Sequence, residues 1–199
     1  MRAKISDGAK KAIMIGSLCS ISYLAVYVAR NILGSVSPQI IEQGVLSTEQ
    51  IGTLSSIFFI SYATGQLING MIGDKIKAKF MIAFGLARAG ASNILFSVLA
   101  ASPIMAYVAY GFTGFFLSMI YGPMTKVVAE NTELVYATRC SLGYTFASFL
   151  GSPLAGIFAA AFAWKTVFGI SSAILILMGL LCFCTFTVFE KKGYVRYGR

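Results

Sequence analysis

Residues 51–80 read IGTLSSIFFISYATGQLINGMIGDKIKAKF. From Ile51 to Ile72 there is no Asp, Glu, Lys or Arg; then Asp74, Lys75, Lys77 and Lys79 crowd in before Phe80. Wound as a helix at about 1.5 Å per residue, the uncharged run is long enough to cross the roughly 30 Å hydrocarbon core of a bilayer. The basic cluster marks where it leaves. An open strand would strand its backbone groups in hydrocarbon, and the run lacks the alternation of a barrel strand, so a helix is the only solution. Just upstream, Ser47-Thr48-Glu49-Gln50 has the form of a capping box and predicts a helix start near Thr48.

Five further apolar runs surround this one, giving spans at about Ala12–Val36, Ile51–Ile72, Phe80–Ala101, Ile104–Ala129, Leu142–Ala163 and Thr166–Phe189. The composition agrees: 57% of the 199 residues are hydrophobic and only 12% charged, with a mean hydropathy of +0.79. A soluble domain carries about twice that charged share. The basic N-terminal stretch (Arg2, Lys4, Lys10, Lys11) before the first run has the outline of a signal peptide, but the run is too long for one and is read as a retained first span. Thirteen of the sixteen Lys and Arg residues fall at the termini, around residues 75–79, at Lys126 and at Arg139, all on one side of an alternating path, against Lys165 on the other. The positive-inside rule then predicts a multi-pass protein of the cell membrane with both termini cytoplasmic. Trp164 and several tyrosines near span ends fit an interfacial belt. Residues 1–103 and 104–199 each hold three spans, and an odd number inverts the second unit relative to the first. The expected fold is all-α: one six-helix domain built as a three-plus-three inverted repeat.

A net charge of +9 in short clusters between spans is explained by topology, so nucleic acid is not expected as a partner. Histidine is absent from the sequence, and Cys19, Cys140, Cys182 and Cys184 show no metal-ligand spacing. No Ser-His-Asp set or phosphate-binding glycine loop is present, so neither a metal, a cofactor nor enzyme chemistry is expected.

Gly70-Met71-Ile72-Gly73-Asp74-Lys75-Ile76-Lys77-Ala78-Lys79 resembles the signature loop between the second and third helices of the major facilitator superfamily. Physically, Gly70 would let helices approach closely, while Asp74, followed by Lys75, would cap a helix end and pair with basic groups. Lys77 stands where many members have Gly. In the first span Tyr23, Tyr27 and Arg30 share a helical face, with Asn31 beside them. Together with Tyr62-Ala63-Thr64-Gly65-Gln66-Leu67-Ile68-Asn69-Gly70, this resembles the organophosphate and sugar-phosphate branch of that superfamily. The resemblance implies that Arg30 contacts a substrate phosphate, that tyrosines of the first two helices surround it, and that an organic phosphate is exchanged for inorganic phosphate by alternating access. Gln66 replaces the lysine found at the matching place in phosphate-ester carriers, removing one positive charge, so that a similar, more weakly charged organic anion or a neutral solute stays open beside a phosphate ester. Tyr121-Gly122-Pro123 is similar to that branch's aromatic-Pro-Pro stretch, making Tyr121 a candidate wall of the site, and Trp164-Lys165-Thr166-Val167-Phe168 is similar to the superfamily's entry to helix 6.

Arg30 stands out on physical grounds as well. Asp7, Glu42, Glu49, Asp74, Glu130, Glu133 and Glu190 all map to loops or span ends, so no carboxylate inside the spans can neutralise it. A cation held in the membrane without an internal anion suits a small anionic solute, and guanidinium pairs phosphate oxygens in a fork. Arg88 in the third span lies within reach of snorkelling to the cytoplasmic face. Gly143, Ala147, Gly151 and Ala155 recur every four residues, the pattern of a close helix contact. A carrier of this type places its site between two six-helix halves, so the resemblance implies a second half besides membrane lipid. A split carrier, a homodimer, a truncated inactive product and a membrane sensor of phosphorylated solutes all remain open.

Overall fold

The computed structural model describes residues 7–197, and among them every regular element is an α-helix. These are α1 (Asp7–Glu42), α2 (Thr48–Gly73), α3 (Ala78–Leu99), α4 (Pro103–Asn131), α5 (Leu134–Ala161) and α6 (Trp164–Lys191). All six are long and apolar enough to cross a bilayer. Arg2 and Lys4 lie outside the described residues.

The helix ends follow from local chemistry. Gly44 turns the chain with φ +65°, a conformation that costs a residue without Cβ nothing. Ser47 then caps α2: its Oγ accepts from Gln50 N–H at 3.2 Å while Gln50 Oε1 accepts from Ser47 N–H at 2.8 Å, the reciprocal pair expected from the sequence. Pro103, expected in a loop, is instead the first residue of α4, where its missing N–H has no cost. α5 begins at Leu134, eight residues before the apolar run, because a helix continues past the hydrocarbon boundary.

α1 packs chiefly on α5 and α2 on α4, while α3 lies against α4 and α6, and α1 also touches α6. Exchanging each helix with the one three places away converts α1/α5 into α4/α2 and α3/α4 into α6/α1, so the pairing maps onto itself. Glycines set the closest crossings. A Cβ on Gly151 would lie 2.5 Å from Tyr27 Cβ, and one on Gly114 2.5 Å from the Phe58 carbonyl oxygen. Only a residue without a side chain fits at either point.

Trp164 does not join an interfacial belt. It is buried, its ring 6.5 Å from Phe96 and 6.3 Å from Phe168, and its indole N–H donates to Gln43 Oε1 at 2.9 Å. A hydrogen-bond acceptor at the end of α1 removes the need for an interfacial position.

α2 and α5 are the least buried of the six. Hydroxyls on their flanks bond to their own helices: Thr53, Ser55 and Ser56 donate to the carbonyls of Glu49, Ile51 and Gly52, and Thr138 and Ser148 to those of Leu134 and Thr145.

Candidate functional site

The face shared by α1, α2, α4 and α5 gathers Tyr23, Tyr27, Tyr62, Tyr121 and Tyr144. On α1, the three- and four-residue spacings stack Tyr23, Tyr27 and Arg30 on one side. The Tyr23 ring is buried, 4.9 Å from Tyr27, 5.5 Å from Tyr121 of α4 and 5.9 Å from Tyr144 of α5. Tyr121 also meets Tyr144 edge-on at 6.2 Å. The half-buried Arg30 projects its guanidinium to 5.5 Å from the Tyr27 ring centroid and 5.1 Å from each of Phe59 and Tyr62 of α2.

This accounts for how an arginine is held here without a carboxylate. A charge at mid-membrane costs about 2.5–3.5 kcal/mol on insertion scales. A cation–π contact returns about 0.5–2 kcal/mol, so three rings offset much of the cost. The rings engage the guanidinium through its π surface. Among the described residues no carboxylate pairs with Arg30 and no acceptor takes a hydrogen bond from it, so its N–H donors are available to a ligand.

Structure and expectation agree unevenly for the other candidates. Tyr62 is half-buried beside Arg30 and stacks at 6.1 Å on Phe58. Asn31 turns back on its own helix, its amide nitrogen donating to the Tyr27 carbonyl at 2.8 Å, and so steadies the Tyr27 turn. Gln66, Asn69, Gly70, Ser118, Tyr121 and Lys126 line a groove of about 370 Å³ between α2 and α4. At its floor Asn69 donates to Ser118 Oγ at 2.8 Å, which donates to the Phe115 carbonyl at 2.6 Å. Gly70 is exposed there, with nothing within 4 Å of where its Cβ would be. The close approach expected at Gly70 occurs five residues earlier, at Gly65, which packs on Ser118 and Phe115.

Asp74 behaves as expected: it is the C-terminal cap residue of α2, and its carboxylate accepts from Lys126 Nζ at 2.7 Å. That hydrogen bond, and then the Lys126 charge, hold its carboxyl below the usual range. Lys75 is exposed in the same loop. A second ion cluster closes the same end, where Glu190 accepts from Lys77 at 2.7 Å and Lys79 at 2.6 Å.

Two ring contacts escaped the sequence reading. Phe59 lies three residues before Tyr62, so helical periodicity from Tyr62 would have found it. Tyr144 had no such signal, because its place beside Tyr23 depends on how α5 packs.

Residues 19–195 match the Major Facilitator Superfamily. The chain belongs to that superfamily. It is a multi-pass membrane protein, and several of the relatives it resembles are named as transporters of phosphorylated solutes. Over 76 residues it is 33% identical to the membrane sensor protein UhpC of Escherichia coli K12, covering 38% of this chain and 17% of that protein. Over 110 residues it is 33% identical to the phosphoglycerate transporter protein of Salmonella typhimurium LT2, covering 55% of this chain and 24% of the relative. Over 169 residues it is 25% identical to the glycerol-3-phosphate transporter of Bacillus subtilis 168, covering 81% and 38%. The chain thus spans less than half the length of these Major Facilitator relatives.

Proposed function

We propose that this chain supplies the amino-terminal, six-helix half of a secondary carrier that exchanges an organic phosphate ester for inorganic phosphate by alternating access. The observation that carries the reading is Arg30: a membrane-embedded guanidinium among Tyr27, Phe59 and Tyr62, with no carboxylate partner among the described residues. Its unengaged N–H groups present the fork that matches phosphate oxygens. Tyr23, Tyr27, Tyr62, Gln66 and Tyr121 line the solute path, Asn31 fixes the Tyr27 turn, and Gly70, Asp74 and Lys75 belong to the loop that works with conformational change. Since Gln66 is neutral, a second negative charge on the solute is met from outside these helices. In this reading residues 1–103 and 104–199 are the two inverted three-helix units, both termini are cytoplasmic, and a second six-helix half completes the cavity over α2 and α5. The relatives named as phosphoglycerate and glycerol-3-phosphate transporters support the solute class.

The test is counterflow of labelled phosphate in proteoliposomes, with the second half co-reconstituted where it is a separate chain. Glycerol-3-phosphate or a hexose phosphate outside should drive labelled phosphate out. Arg30→Gln loses charge and fork, so solute affinity should fall roughly tenfold to a hundredfold, the value of one charge-assisted hydrogen bond. Arg30→Lys keeps the charge and should fall between. Folding should survive, because no buried anion is left behind. Unchanged affinity in Arg30→Gln would remove the anchor role.

A second reading, a membrane sensor of phosphorylated solutes, is favoured by the similarity to a protein named a membrane sensor. It shares the Arg30 site and separates on one outcome: solute binding lost in Arg30→Gln, with no counterflow in the wild type.

A further inference from the structure

Arg88 is the second arginine inside a span, and the site above does not use it. α3 packs chiefly against α4 and α6, and among the described residues it contributes none to the ring cluster around Tyr23 and Arg30. Arg88 lies on its exposed side. It is ten residues beyond Ala78, about 15 Å along the axis. α3 has only 22 residues, about 33 Å, so it cannot slide to bring Arg88 out of the hydrocarbon. No carboxylate pairs with it among the described residues. Its guanidinium lies 4.7 Å over the ring of Phe84, one turn nearer the helix N-terminus. That is the direction in which helical side chains lean, and on α3 it leads to the end carrying Lys75, Lys77 and Lys79. Below the guanidinium runs an aromatic strip. Phe84 meets Phe116 of α4 edge-on at 6.1 Å, and Phe112 stacks on Phe116 at 6.0 Å; Phe84 and Phe112 are about half exposed.

We propose that Arg88 holds the phosphate of an anionic phospholipid from the leaflet on the Lys77/Lys79 side, with an acyl chain lying along Phe84, Phe116 and Phe112. The charge calls for an anion, and the fork fits phosphate. A lipid brings that phosphate with its own apolar tail. A partner helix would have to bring a carboxylate of its own into the apolar layer, whereas a lipid phosphate stays at the headgroup level toward which the guanidinium leans.

The test uses the purified chain, stripped of lipid in neutral detergent and offered equal phosphatidylglycerol and phosphatidylcholine of matched acyl chains, with bound lipid counted by native mass spectrometry. The wild type should prefer phosphatidylglycerol, Arg88 and the basic clusters at the same end together attracting the anionic lipid. Arg88→Gln should lower that preference about fivefold, the attraction of one basic residue for an anionic lipid, and Arg88→Lys should leave an intermediate value. A photoactivatable phosphatidylglycerol on the wild type should mark residues near 84–88, which keeps the test open if a variant fails to fold. The same preference in Arg88→Gln, adducts confined elsewhere, or cross-links from position 88 to another protein in place of lipid would each overturn the proposal.

Discussion

Arg30 and Asp74 handle charge in opposite ways. Arg30 is surrounded by rings and keeps its donors free, whereas Asp74 is exposed and spends its carboxylate on Lys126. A carboxyl held below its ordinary value stabilises the fold above the ordinary carboxylate range, and the effect is lost as pH falls through the depressed value. Asp74→Asn should therefore melt slightly lower than the wild type near neutral pH, with the gap closing as pH falls below the ordinary carboxylate range. Thermal melting in detergent across that range checks this, and a gap independent of pH would show that the Lys126 pair contributes nothing. The charge, the spacing of Tyr23, Tyr27 and Arg30, and the Asp74 loop were legible because they are local along the chain. Phe59 and Tyr144 complete the ring cluster across helices, which periodicity within one span does not report.

Among the elements, α5 shows what small residues do and what apolar length conceals. Ala147, Gly151 and Ala155 are buried, and the ladder read from their spacing is the contact with α1. Gly151→Leu should force α1 and α5 apart, an overpacking cost of about 1–3 kcal/mol. Leu150→Ala, on the exposed side, should cost within about 0.5 kcal/mol. Detergent melting of the pair decides it; equal melting would remove Gly151 from the interface. The helix limits were less legible. Polar Thr138 and Arg139 hid the first turns of α5 from a hydropathy reading although its backbone is already helical there. Trp164 was misplaced for a related reason, since its acceptor, Gln43, lies 121 residues away.

For the whole molecule, six spans and their count were readable from apolar run length, whereas which helices touch was not, because pairing depends on matched surfaces. Orientation is the testable consequence of the charge bias. In a Cys184→Ser background, whose other thiols are buried, Glu49→Cys should react with a membrane-impermeant maleimide added outside intact cells, and Lys75→Cys should not. Reversal of the two would invert the topology. The self-bonded hydroxyls of α2 and α5 carry a further consequence. Thr53, Ser55, Ser56, Thr138 and Ser148 each donate to a carbonyl of their own helix, so none of them needs water or a neighbour to stay satisfied. Water can flood past these five hydroxyls, drain and flood again without orphaning any of their donors, as a gasket can be opened and reseated without wear.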